Sequence, residues 1–205
     1  EVARELLPLH AKIAPVLEKI AMNPEDFSDL HDQESIASDL RYVQRMKKEF
    51  TKGANEKIAG DLTVREVKQL AEILEYFIIR GINVGGWIPF VRAVSTAEVD
   101  DIREGIDNVF IIDDPTNTEE IASYLGLSVD VSFSYNLDKK FDRIKDEIDS
   151  YDGVDNRLGH VKYFHDQKRD IKRELHDLPR VVVALDIGVM EDLRGAKEGG
   201  RDHVA

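Results

Sequence analysis

Of the chain's 205 residues none is cysteine and one is tryptophan. The missing thiols exclude a disulfide framework, a thiolate metal site and a cysteine nucleophile. A chain without such staples is expected inside the cell, in the cytoplasm or an organelle interior. Long hydrophobic runs are missing too. The most apolar window, ILEYFIIRGINVGGWIPFV, is interrupted by Glu75, Arg80 and Asn83, each costly in hydrocarbon, so no membrane insertion is expected. Basic charge is in short supply: 28 Lys and Arg face 41 Asp and Glu, a formal net charge of −13. Residues 1–107 hold 20 acids and 14 bases and residues 108–205 hold 21 and 14, so the excess is spread evenly. Such a field repels nucleic-acid phosphates and favours other protein subunits, small ligands or cations as partners. The phosphate-loop, GxSxG, HExxH and GxGxxG patterns are all absent. No cofactor is called for. The first residue is Glu1 rather than Met, which reads as a trimmed or processed start.

What is present begins with helical periodicity. Leu6, Leu9, Ile13, Val16 and Ile20 fall on one helix face. Pro8 suits a first turn and Pro15 is expected to kink or end the helix. Ile36, Leu40, Val43 and Phe50 mark a second helix, with Asp32 or Ser35 as its cap. Thr63 and Glu66 have capping-box spacing, and Leu62 with Val67 that of a hydrophobic staple. The helix they open is expected to stop at Gly81. Ser95 and Glu98 repeat the signature and start a short helix ending near Gly105. Strands are expected at 109–112, 127–137 and 180–188, and helices over 137–151 and 161–178. The pattern is α+β, with a mostly helical region (1–107) packed on a smaller mixed region (108–192) of about three strands. Residues 193–205 hold too few apolar groups to order themselves.

TEEIASYLGLSVDVSFSYNL, residues 118–137, resembles a repressor-type helix-turn-helix over about nine positions, through Glu120, Ile121, Ala122, Leu125, Gly126, Leu127 and Ser128. The resemblance then fails, because the packing valine arrives one residue early, at Val131. A one-residue slip rotates a helix by about 100°. From Leu127 to Leu137 apolar and polar residues alternate, which is the period of a strand. The stretch reads as helix, glycine stop and strand.

Several residues are candidates for chemistry. VFIIDDP delivers Asp113 and Asp114 to a strand end, and VVVALDIGV places Asp186 on another; together they resemble the acidic strand ends of receiver domains that hold magnesium. The resemblance is broken by the distance between them and by the lack of a later strand to carry a lysine. Asp113, Asp114 and Asp186 are the metal candidates, beside the alternative that they cap strand ends and helix starts. Three histidines precede an aspartate, at His31, His165 and His176, as in HD-type phosphohydrolases. On a helix, however, His160 and His165 would point about 140° apart and share no ion. GINVGGWIPF carries the sole tryptophan, and its glycines allow positive φ or close backbone approach. It is either an internal plug, the favoured alternative, or a docking loop in which Trp87, Ile88 and Phe90 make the contact.

The leading expectation is a non-catalytic subunit of a larger assembly that acts through protein surfaces. Its grounds are apolar stripes on the helices at 1–22, 36–50, 137–151 and 161–178, more than a three-strand sheet covers. The alternatives are a divalent-metal enzyme using the strand-end aspartates, and a nucleic-acid adaptor using the basic stretches KKFDRIK and KRDIKR.

Overall fold

Four consecutive apolar residues in NVFII need cover on both faces, and β4 (Asn108–Ile112) obtains it at the middle of a sheet. A computed structural model describes residues 2–59, 62–113, 125–134, 141–142, 145–146 and 158–186. Within them β3 (Val91–Ser95), β4, β5 (Leu125–Ser134) and β8 (Arg180–Asp186) form one sheet in the order β3-β4-β5-β8. The first two pairings are antiparallel and β5–β8 is parallel. Alternation sorts the side chains. Ala93, Phe110 and Val129 face one layer, together with Ile78, Ile79 and Ile82 of α3 (Val64–Asn83). Val109 and Ile111 face the other, against Val161, Phe164, Leu175 and Leu178. Those residues belong to a hairpin, β6 (Gly159–Asp166) with β7 (Ile171–Leu178). Full burial of each of these aliphatic and aromatic side chains is worth about 1.5–3 kcal/mol.

Helix α1 (Val2–Ile20) packs along α3 through Ile13, Leu70 and Ile73. It continues through Pro8 and Pro15 instead of ending there. Ala11, whose carbonyl Pro15 leaves without a donor, is exposed, so water takes the bond and the cost falls. Asp32 caps α2 (Gln33–Lys52), accepting from the Ser35 N–H at 2.8 Å. Between the two helices, a 3₁₀ turn at Pro24–Phe27 buries Phe27. The capping box of α3 forms as expected: Thr63 Oγ1 accepts from the Glu66 N–H, and the Glu66 carboxylate accepts from the Thr63 N–H. A two-stranded ribbon, β1 (Lys57–Ala59) with β2 (Leu62–Thr63), precedes it. α3 passes Gly81 and ends at Asn83. The second predicted cap is also corrected. Ser95 closes strand β3, and α4 (Glu98–Glu104) starts from Ala97 without a side-chain cap, although Gly105 does end it with φ 66°.

The α+β reading holds, and β4, β5 and β8 supply the three expected strands; the described residues hold five more. Over Leu125–Ser134 the helix-turn-helix stretch is strand, which excludes a recognition helix there; residues 118–124 and 135–137 lie outside the described residues. The helix expected over 161–178 is the β6–β7 hairpin, so one of the four stripes taken as unpartnered is in fact buried against the sheet. Of 137–151, only 141, 142, 145 and 146 are described, and they are helical. The expected tail 193–205 lies outside the described residues. No described helix is long and apolar enough to cross a membrane.

One buried carboxylate ties the hairpin to the helices. Asp39 of α2, 4% exposed, accepts from Lys162 Nζ at 2.7 Å, Tyr163 Oη at 2.8 Å and Arg103 at 3.0 Å. Burial pushes this carboxyl up, but the bonds from Lys162 and Tyr163 outweigh it and hold it below its ordinary value. Asp100 of α4 accepts from the Lys162 and Tyr163 N–H groups, and burial raises it to about 6.

Candidate functional site: an apolar loop braced by glycines and an Arg–Asp lattice

After Asn83 the chain forms a loop whose backbone is tied down at several points. Val84 and Gly85 donate to the Arg80 carbonyl, and Trp87 donates to that of Gly81. The indole of Trp87 lies on the helix backbone: a Cβ built on Gly81 would stand 2.4 Å from its ring carbons. That close approach explains a glycine inside a helix, where it otherwise costs about 1 kcal/mol. Gly86 turns the chain with φ 62°. Phe90 also has a positive φ, 64°, a conformation that costs a bulky residue about 1–2 kcal/mol. The Phe90 carbonyl accepts from the Asp113 N–H at 2.7 Å.

This bracing holds apolar groups outward. Trp87 is 65% exposed, Phe90 60%, Val84 71% and Ile88 46%, and Phe77 on the preceding helix is 44% exposed. The internal-plug alternative is therefore overturned. Three glycines let the loop close on itself, and its large side chains face solvent. The structure brings Trp87, Ile88 and Phe90 together on one short surface segment.

Next to the loop, charge is concentrated. Arg92 of β3 donates to Asp113 at 2.9 and 3.2 Å and to Asp166 at 2.9 and 3.0 Å. Arg169 bridges the same two carboxylates at 2.9 and 2.8 Å, and Lys168 reaches Asp113 at 3.1 Å. The bonds from Arg92 hold the Asp113 carboxyl far below its usual range. Asp166 has no exposed surface; burial pushes it up, yet the two guanidiniums bring it down to about 2. Of the three aspartates expected at a metal, Asp113 is the one with a described side chain. Its oxygens face three cations. Asp114 lies outside the described residues, and Asp186 is known only as the last residue of β8, with its Cα opposite that of Ser134.

A second cluster went unseen in the sequence because its segment was assigned to a helix. On the hairpin, His160 of β6 and His176 of β7 both approach one oxygen of Glu174, with Nε2 to Oε2 distances of 3.1 and 3.4 Å. Their rings stack 4.5 Å apart. Alternation along β7 (Glu174 and His176, two apart) was the available signal. Among the described residues this is the one group of three side chains with metal-ligand spacing. No family model, curated protein or solved structure matches the chain, so any function must be argued from its own residues.

Proposed function

We propose that this chain is a binding subunit that contacts another protein through the loop at 84–90. The observation that carries this reading is the exposure of Val84, Trp87, Ile88 and Phe90 on a backbone fixed by Gly81, Arg80 and Asp113. Exposed apolar patches rimmed by polar groups mark interaction sites. Tryptophan and other aromatic anchors dominate the energetics of such contacts. A loop already held in one shape loses little conformational entropy when covered, so more of the burial energy appears as affinity. The even acidity of the chain disfavours nucleic acid, and the aromatic, apolar character of the loop favours a protein partner there.

The test is the native mass of the untagged chain in its source extract, by size exclusion with mass spectrometry of co-eluting chains. The wild type is expected in an assembly, and a Trp87→Ser, Phe90→Ser double variant is expected to elute alone with its melting temperature retained. A wild type that elutes as a single chain, or a variant that stays in the assembly, overturns the reading.

A further inference from the structure

We infer that the face of the β6–β7 hairpin carrying His160, Glu174 and His176 is a binding site for a divalent transition-metal ion of the zinc class. The pairing register carries the argument. Val161 lies opposite Leu175 and Gly159 opposite Leu178, so the strand pair slips by one residue between them. His160 therefore faces two residues, His176 and Asp177, and Asp177 has the positive φ, 58°, of the extra residue in a bulge. Bulges bend a strand and re-aim its side chains, and they recur beside functional sites. Glu174 and His176, two apart on β7, share one side of that strand, and His160 stands across from His176 on the same side, just before the extra residue. The ligand atoms of the three residues all lie within 4.8 Å of one another, and both imidazole Nε2 atoms point at one carboxylate oxygen.

The donor set selects the ion. Two imidazole nitrogens and a carboxylate oxygen suit zinc and its neighbours rather than magnesium or calcium, which take oxygen ligands. Three protein ligands leave a fourth tetrahedral position for water. The surroundings fit a cation. Asp100 stands close enough to His160 to interact electrostatically with it, and Lys162, the nearby cation, is held by Asp39 and Ser35. Behind the site, His31 reaches within 3.6 Å of the second Glu174 oxygen through Nδ1. Its side chain is 9% exposed, and its Nε2 has no hydrogen-bond partner among the described residues. Carboxylates that ligate a metal have outer partners in turn, and His31 is the imidazole placed to serve Glu174 in that way. The site is independent of the loop at 84–90. It lies at the open end of the hairpin, whereas Asp166 and Arg169 join that loop's surroundings at the turn, roughly 20 Å along the strand.

The experiment is a calorimetric titration of the chelator-treated full chain with zinc chloride alone, with cobalt(II) absorption as a second readout. One zinc per chain is expected, and a visible cobalt band of the four-coordinate kind. Outer partners contribute 10–100-fold to metal affinity, so losing a ligand in His176→Ala or Glu174→Gln should weaken binding by about 100-fold or more, and His31→Ala by about tenfold. His165→Ala serves as control, because that hairpin histidine bonds Asp170 instead, and it should bind like the wild type. His176 is largely exposed, so its variant keeps the fold, which a melting curve verifies. If Glu174→Gln unfolds, the His176 variant and the wild-type cobalt spectrum decide. Equal affinity in wild type and His176→Ala, a cobalt spectrum of the hexaaquo ion, or an equal loss in His165→Ala overturns the site.

Discussion

Asn83 holds Ala93 by both of its backbone groups: the Asn83 side-chain carbonyl accepts from the Ala93 N–H and its amide donates to the Ala93 carbonyl, each at 2.8 Å. Ala93 is the middle residue of β3, an edge of the four-stranded sheet, and the asparagine stands where a further strand would bond. The pair also closes the base of the apolar loop. Asn83→Ala removes two hydrogen bonds and leaves a donor and an acceptor on a sheet edge. A loss of about 2 kcal/mol is expected in urea denaturation. Light scattering should show concentration-dependent association, since an open edge invites pairing with another chain. Unchanged stability with no association would mean that water replaces the side chain at no cost.

Gly81→Ala sets two effects against each other. Alanine gains about 1 kcal/mol of helix propensity over glycine, while its Cβ collides with the Trp87 ring. Because the indole is largely exposed it swings away instead of straining the helix. Thermal unfolding should therefore shift by no more than about 1 kcal/mol in either direction. Emission from the sole tryptophan should move to longer wavelength as the ring leaves the backbone. A large destabilisation with unshifted emission would show the ring to be fixed by more than this contact.

Acid–base behaviour offers a third check. Burial, with Asp101 nearby, raises the Glu75 carboxyl from 4.5 to about 8, while Asn108 donates to it at 3.3 Å. The folded-state value exceeds the unfolded one, so between pH 4.5 and about 8 the folded chain keeps a proton that the unfolded chain releases. Stability falls as pH rises through that window. Asp100, raised from 3.8 to about 6, acts in the same sense. Asp113 and Asp166 act oppositely, and their contribution is lost as pH falls below 3.8. The melting temperature should therefore peak near pH 4, where the two opposing windows meet. Glu75→Gln, which retains an oxygen for Asn108, should flatten the alkaline slope and add on the order of 3 kcal/mol at pH 8. A slope unchanged by the substitution would place the titration elsewhere.

Removing Asp39 should cost more than removing what it binds. Asp39→Asn leaves the Lys162 ammonium, 18% exposed, without its carboxylate, which costs about 3–5 kcal/mol. Tyr163→Phe forfeits one hydroxyl bond to that carboxylate, about 1–2 kcal/mol. The double variant should fall short of the sum by about 1 kcal/mol, because both changes dissolve one contact. Strict additivity in chemical denaturation would show that the two residues do not share a network.

Where local signals and tertiary packing agreed, the fold was legible in the sequence. The Thr63–Glu66 box, the Asp32 cap and the alternation from Leu127 are short-range rules that the folded chain obeys. The hairpin was not legible. Val161, Phe164, Ile171, Leu175 and Leu178 are spaced like a helical stripe, while the register slips at Lys162–Tyr163 and at His176–Asp177 break the period of two that would have revealed a strand. Tyr163 and Phe164 are consecutive yet both fully buried, in different clusters. β3 was hidden for another reason: its edge is completed by an asparagine side chain, a partner no strand periodicity predicts. The His160–Glu174–His176 group followed the fate of its hairpin. The segment holding Trp87, Ile88 and Phe90 stood out because glycine spacing and aromatic content are read residue by residue, though its solvent exposure had to come from the structure.

The parallel pairing of β5 with β8 has a consequence for how the chain matures. During synthesis β3, β4 and β5 leave the ribosome in order and zip by short antiparallel steps. The fourth strand follows only after residues 135–179, hairpin included, have been made. Until Arg180–Asp186 arrives, the nascent sheet ends at β5, a long strand open on one side. Closing so wide an excursion is entropically slow. That interval is when the polypeptide is most exposed to mispairing, and a ribosome stalled before residue 180 would hold it there.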